Sequence, residues 1–323
     1  MNESESSGAF VVSLDTELVW GMFDTGTVSP ERYTGTRGVI RNLLDLFEEY
    51  QIPATWALVT HLLTDCCASE LGRQSHPDSC KQNSRNVALP CQQELDPDLW
   101  YEPRILDWIE DTEVDHDVGS HTHTHLVFSE ATREEARSDI EQSVAIAKRH
   151  GIDLTSFVYP RNRIAHRDML SDAGFEVYRG IDSRWYEKSQ LPAPVVKGTR
   201  FADEATQWTP PTVIPRTESG LVEVPGSQVF RPAHGMWRHT PKGSQRTRAI
   251  AGLDRAARTG EIFHVWFHPF NFAHNPGHLL EAFETVLAHA QSLVRQGCLD
   301  ILTMREVAEL YEAGRWTDLE SDT

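Results

Sequence analysis

Residues 154–179, LTSFVYPRNRIAHRDMLSDAGFEVYR, contain one complete strand–helix–strand unit. Leu154–Tyr159 is a short apolar run of the kind that forms a buried strand. Ile164–Ala173 has helical periodicity and is closed by Gly174, and Phe175–Arg179 is a second strand. Two strands joined through a helix pair in parallel, because the crossover returns the chain to the same end of the sheet.

The same alternation extends in both directions. Upstream lie a strand at Ala9–Leu14 (AFVVSL), a helix at Val39–Tyr50 with apolar residues on one stripe, and a strand, TWALV, after Pro53. Pro103–Glu110 reads as a helix and Val114–Val118 as a strand. Thr132 and Glu135 form a capping box that starts a helix ending at His150–Gly151. Downstream the pattern breaks over residues 183–220, which are polar and contain prolines. It resumes with Leu221–Val224, a helix at Ser244–Arg258, a strand at Glu261–Phe267, a helix at His278–Arg295, a strand at Leu299–Leu302 and a helix at Arg305–Glu312. Seven or eight strands alternating with helices predict an α/β fold, a distorted, TIM-like (β/α)7 barrel in a single domain. The predicted domain spans 9–314, with a polar loop insertion at 64–98, a disordered tail at 1–8 and a C-terminal tail at 315–323. No G-x-G-x-x-G follows the first strand, which disfavours a dinucleotide fold.

The 323 residues are 39% apolar and 24% charged, enough for a sizeable core. Thirty Lys and Arg against 48 Asp and Glu give a net charge of −18, which argues against a nucleic-acid partner or docking on anionic lipid. No apolar run is long enough to span a membrane, and the polar start lacks the features of a signal peptide, so a cytoplasmic protein is expected. Cys66, Cys67, Cys80 and Cys91 share one segment with His76, but no C-x-x-C pair is present and a structural zinc there is disfavoured.

Chemistry in such folds concentrates just past the strand C-termini. Asp15 and Glu17 end the first strand two residues apart and point the same way on an extended backbone, although a strand end exposing acids to water would read alike. His121, His123 and His125 alternate in GSHTHTH. His121 and His125 share a face whether the segment is helical or extended, and His123 joins them only if it is extended. Neutral imidazoles suit zinc, while a polar loop rich in histidine is the plainer alternative. In FHVWFHPFN, residues 263–271, His264, Trp266 and His268 share one strand face. His268 is placed for acid–base work and His264, deeper, for support. Arg161, after the strand ending at Tyr159, could orient a carboxylate. Trp20, Trp56, Trp100, Trp108, Trp185 and Trp266 could stack on sugar rings, but most tryptophans are packing residues.

These elements in this order resemble the polysaccharide deacetylase family over about residues 9–310, most specifically through His121-Thr122-His123-Thr124-His125 and next through His268. SLDTELVWG, VYPRN and FHVWFHPFN look like a divergent subfamily associated with surface-polysaccharide biosynthesis. The resemblance implies a distorted seven-stranded barrel and a metal-assisted hydrolase of non-peptide C–N bonds that removes N-acetyl groups from sugars. Asp15 would be the general base, His121 and His125 metal ligands, and His268 the general acid. Arg161 would stand in for the arginine that orients the base. Thr16 occupies the position of the family's metal-binding aspartate. Either Glu17 or Asp15 then supplies the missing carboxylate, or the metal, expected to be zinc, is held differently or is absent. The implied partner is an N-acetylated sugar or a glycan precursor, such as a nucleotide or lipid-linked sugar. An allantoinase-like amidase opening small cyclic amides, with or without metal, is the second reading, and a non-catalytic carbohydrate-binding remnant the third.

Overall fold

The computed structural model describes residues 7–23, 30, 33–64, 96–187 and 191–320. The cysteine-rich part of the expected insertion, including Cys66, Cys67, His76, Cys80 and Cys91, lies outside the described residues, as do residues 1–6 and 321–323.

In chain order the described elements are β1 (Gly8–Thr16), α1 (Thr36–Glu49), β2 (Thr55–Leu58), α2 (Ile105–Glu110), β3 (Asp117–Ser120), α3 (Arg133–Arg149), β4 (Ser156–Val158), α4 (Arg167–Asp172), β5 (Val177–Gly180), α5 (Ala193–Ala205), β6 (Arg216–Glu218), β7 (Leu221–Pro225), β8 (Gln228–Val229), α6 (Ser244–Thr259), β9 (Ile262–Phe267), α7 (Pro276–Arg295), β10 (Leu299–Leu302), α8 (Met304–Glu312) and α9 (Thr317–Glu320). The sheet runs β6-β7-β5-β4-β3-β2-β1-β9-β8, parallel throughout except for the β6–β7 hairpin. The Thr132–Glu135 capping box forms at the head of α3, with both reciprocal hydrogen bonds present.

The closed (β/α)7 barrel is not what forms. The sheet curls through 202° as an open, nine-stranded half-barrel whose edges stand 18 Å apart. Closure would need the edge strands within one hydrogen-bonding spacing, ~4.8 Å. One edge is instead β6, the outer arm of a tight hairpin turned at Ser219–Gly220, where both residues have positive φ. The other is β8, only two residues long. The last strand does not help to close the circle. Ala9–Val11 of β1 pair β9 and β10 together, while Ser13 and Leu14 pair β9 and β2. β10 therefore lies beside the first half of β1, on the edge that β2 occupies further along.

The strand expected at Val114–Val118 begins three residues later, as β3. Its first residue, Asp117, is buried and accepts hydrogen bonds from the hydroxyls of Thr55 and Ser156. A carboxylate inside a strand hides that strand from a reading based on hydropathy. The unplaced stretch 183–220 supplies α5 and β6.

Two-residue periodicity sorts β1. Phe10, Val12 and Leu14 join the large apolar cluster beneath α1, α6 and α7. Ala9 and Val11 face the concave side, with Val158, Val177, Val224 and Ile262, and are floored by Met304 and Val307 of α8. Ser13 and Asp15 continue that inner face upward, so the hollow of the half-barrel is apolar at the strand starts and polar at the strand ends. Beyond α8, Arg315 bonds Asp300 and the Ser7 carbonyl, and Trp316 is buried. Among the described residues, no helix is long and apolar enough to cross a membrane.

Candidate active site and metal centre

Four strand ends deliver the polar groups of the hollow. β1 brings Asp15 and, one step past its end, Glu17. The loop after β3 brings His121 and His125, β5 brings Arg179, and β9 runs into His268.

Glu17, His121 and His125 converge. One oxygen of Glu17, Oε2, lies 3.0 Å from His121 Nε2 and 3.0 Å from His125 Nε2, and all three residues are buried. The ligand atoms fit within 4.8 Å of one another. His121 Nδ1 is 2.8 Å from the Val158 carbonyl, so it donates its proton there and turns the Nε2 lone pair into the site. Two imidazoles and a carboxylate are the donor set of open zinc sites in hydrolases, and they fit a divalent ion here. The carboxylate that Thr16 does not provide comes from Glu17. Thr16 itself keeps its hydroxyl buried without a hydrogen-bond partner among the described residues.

The His121–His125 loop is neither helical nor extended. Thr122 and His125 both adopt left-handed backbone, with φ of 68° and 56°. This turn brings His121 and His125 together and sends His123 away. His123 Nε2 lies 2.9 Å from His61 Nδ1, and its Nδ1 3.0 Å from the Thr60 hydroxyl. Asp139 of α3 fixes the loop by accepting from the amides of His123 and Thr124. Gly21 leaves room for Glu17, because a Cβ at that position would overlap its carboxylate.

Asp15 sits beside the triad and is held by Arg179, whose Nη1 and Nη2 donate to its two oxygens at 2.5 and 2.8 Å. Nη1 also donates to Ser13 Oγ, Nη2 to Asn162 Oδ1, and the guanidinium lies 4.2 Å from the ring centre of Trp266. Beneath it, Ser13 Oγ is 2.8 Å from His264 Nε2, and His264 Nδ1 donates to the Pro225 carbonyl. His264 therefore supports the site from below, held neutral by burial, which pushes its pKa down to about 3. Sequence reasoning missed Arg179 although the signal was there: alternation along EVYRG turns Val177 and Arg179 to the hollow and Tyr178 to the helices. Arg161 does not pair with Asp15 but stands at the pocket wall in left-handed backbone, with φ of 57°.

His268 completes the cluster. Its Nε2 is 3.4 Å from Glu17 Oε1 and 3.6 Å from Asp15 Oδ2, and its side chain is 23% exposed where those carboxylates are 2–3%. Burial opposes ionisation of both acids. At Asp15 the Arg179 charge, aided by His121 and His268, overrides it and lowers the pKa. At Glu17 His125, His268 and the imidazole hydrogen bonds hold it well below the usual range. For His121 burial works against the charged form, but the Glu17 contact wins and raises its pKa.

These groups open into a cavity of about 450 Å³ that is also lined by Asp182, Glu187, Arg200 and Arg231. Trp266 lines it, half-buried, with Nε1 donating to Asp182. Trp20, Trp56 and Trp100 are fully buried and are core, while Trp185 is exposed.

The sequence profile of the polysaccharide deacetylase family matches residues 12–178. No curated protein sequence matches the chain. Among solved structures, a protein of Mycobacterium smegmatis assigned as a polysaccharide deacetylase is 13% identical, with a TM-score of 0.57 over 97% of this chain and 93% of its own. One of Pseudomonas aeruginosa PAO1, assigned likewise, is 12% identical, with a TM-score of 0.58 over 95% and 91%. The Puue allantoinase is 11% identical, with a TM-score of 0.56 over 97% and 93%. At these identities the likeness is one of fold.

Proposed function

The chain belongs to the polysaccharide deacetylase family, and from that premise we propose that it hydrolyses the acetamide of an N-acetylated sugar or glycan precursor with a divalent ion, zinc by its donor set. The observation that carries this reading is the convergence of Glu17, His121 and His125 beside an arginine-locked Asp15 and a half-open His268.

An ion in the triad supplies Lewis acidity toward water and toward an amide carbonyl when bound. The chain's own groups divide the proton work. Arg179 keeps Asp15 ionised and fixed, with Oδ2 turned toward His268, so that Asp15 is the acceptor for the proton of the attacking water. His268, more exposed than either carboxylate and within 3.6 Å of both, donates to the departing amine. Arg161 stands on the pocket wall and meets the substrate rather than the base.

The test has two stages. Purified protein should carry about one zinc per chain, and zinc-loaded protein should release acetate from N-acetylated sugars. Absence of both would remove the deacetylase reading. Ring opening of allantoin without acetate release from any N-acetyl sugar would replace it with the amidase.

A further inference from the structure

Most charges around the cavity are already neutralised. Arg179 is matched by Asp15, Arg200 by Glu187 and Glu17 by its imidazoles, while Asp182 accepts from the uncharged Trp266 indole, which does not cancel its charge. Arg231 feels the carboxylates of Glu204 and Asp182 but is paired with neither. It lines the cavity part-buried, with its guanidinium 4.4 Å from the ring centre of Trp237, and none of the salt bridges formed among the described residues involves it. Its backbone is pinned, the amide donating to Gln245 Oε1 and the carbonyl accepting from Gln245 Nε2. Burial and the neighbouring charge of Arg200 pull its pKa down to about 10, against the opposing pull of Glu204 and Asp182.

Its surroundings run against the charge of the whole. In a chain of net charge −18, residues 231–258 hold seven arginines and lysines against one acid, Asp254. Arg238, Lys242 and Arg246 of this stretch line a second, smaller cavity of about 200 Å³, with Phe230, Pro232 and the Trp237 ring.

We propose that Arg231 is an anion-binding end of this pocket, and that the N-acetylated sugar bound here carries a phosphate ester. The sugar half of this statement rests on the deacetylase reading; the anion half rests on Arg231 and the basic stretch alone. Guanidinium pairs with phosphate by charge-assisted hydrogen bonds. Several cations beyond Arg231 suit a dianionic or pyrophosphate group better than a single carboxylate.

Calorimetric titration of the zinc-loaded, full-length protein with N-acetylglucosamine 1-phosphate, N-acetylglucosamine and N-acetylmuramic acid tests the proposal. The phosphate should bind at least about tenfold tighter than either of the others. Arg231→Gln should collapse that preference, and Arg231→Lys should restore much of it. Equal affinity for the neutral sugar, or for the carboxylate, overturns the proposal. So does a preference that survives Arg231→Gln, which would place the phosphate on the metal triad instead. Acetate release is read separately: if no N-acetyl sugar is turned over while the affinity pattern holds, the deacetylase reading falls and the anion site stands.

Discussion

Arg179 donates to both oxygens of Asp15 across 164 residues of chain, at 2.5 and 2.8 Å, with both side chains withdrawn from solvent. A carboxylate so gripped is fixed in direction as well as in charge.

Removing one partner strands the other. Arg179→Met should destabilise the fold by ~3–5 kcal/mol, the range for breaking a buried ion pair, and should abolish turnover. Arg179→Lys keeps the charge but cannot span both oxygens, so it should recover stability more than rate. Denaturant titration and kcat, measured on the same samples, check both.

The metal and the proton acceptor should separate by mutation. Glu17→Gln, His121→Ala and His125→Ala should each lower zinc content, whereas Asp15→Asn should retain zinc and lose turnover. Gly21→Ala should mimic the first group without touching a ligand, because its methyl displaces the Glu17 carboxylate. Metal analysis after dialysis decides; full zinc in Glu17→Gln would remove Glu17 from the ligand set.

His268→Ala should cut kcat by ~10²–10⁴, the usual range for a general acid, with metal content and melting temperature near those of the parent. Its half-open position means that little packing is lost. Undiminished kcat would take His268 out of the proton work.

Stability should fall in mild acid through His116. Burial pushes its pKa from 6.5 to about 4, and its Nδ1 accepts from the Ala54 amide. The unfolded chain takes up a proton between those values that the folded chain refuses. Stability is therefore full above about pH 6.5 and declines toward pH 4, at about 1.4 kcal/mol per unit. His264 acts in the same direction. His116→Asn, which can still accept from Ala54, should flatten the decline; urea midpoints at pH 7.5 and 5 measure it.

Alternation alone made much of the site legible. It put Asp15 with Glu17 and His264 with His268, because those residues lie on or beside regular strands. It could not decide His123, whose fate hangs on the left-handed turns at Thr122 and His125, a feature that no residue pattern there announces. Arg179 is hard to read from sequence because a lone arginine at the end of a strand looks like a solvated terminus until the strand's neighbours are known. Barrel closure misled for a related reason. Counting strands says nothing about whether the last of them, β10, extends the sheet or doubles back beside β1.

The 18 Å gap in the sheet divides labour between two kinds of wall. The reacting groups hang from parallel strands and their first turns, locked in register with one another. Arg200 and Arg231 instead come from α5, ahead of one free edge, and from the segment just past β8 at the other. Loops beside free edges accept insertion and substitution without disturbing hydrogen-bonded neighbours. A lineage built on this frame can revise what it recognises while leaving what it does to the bond untouched.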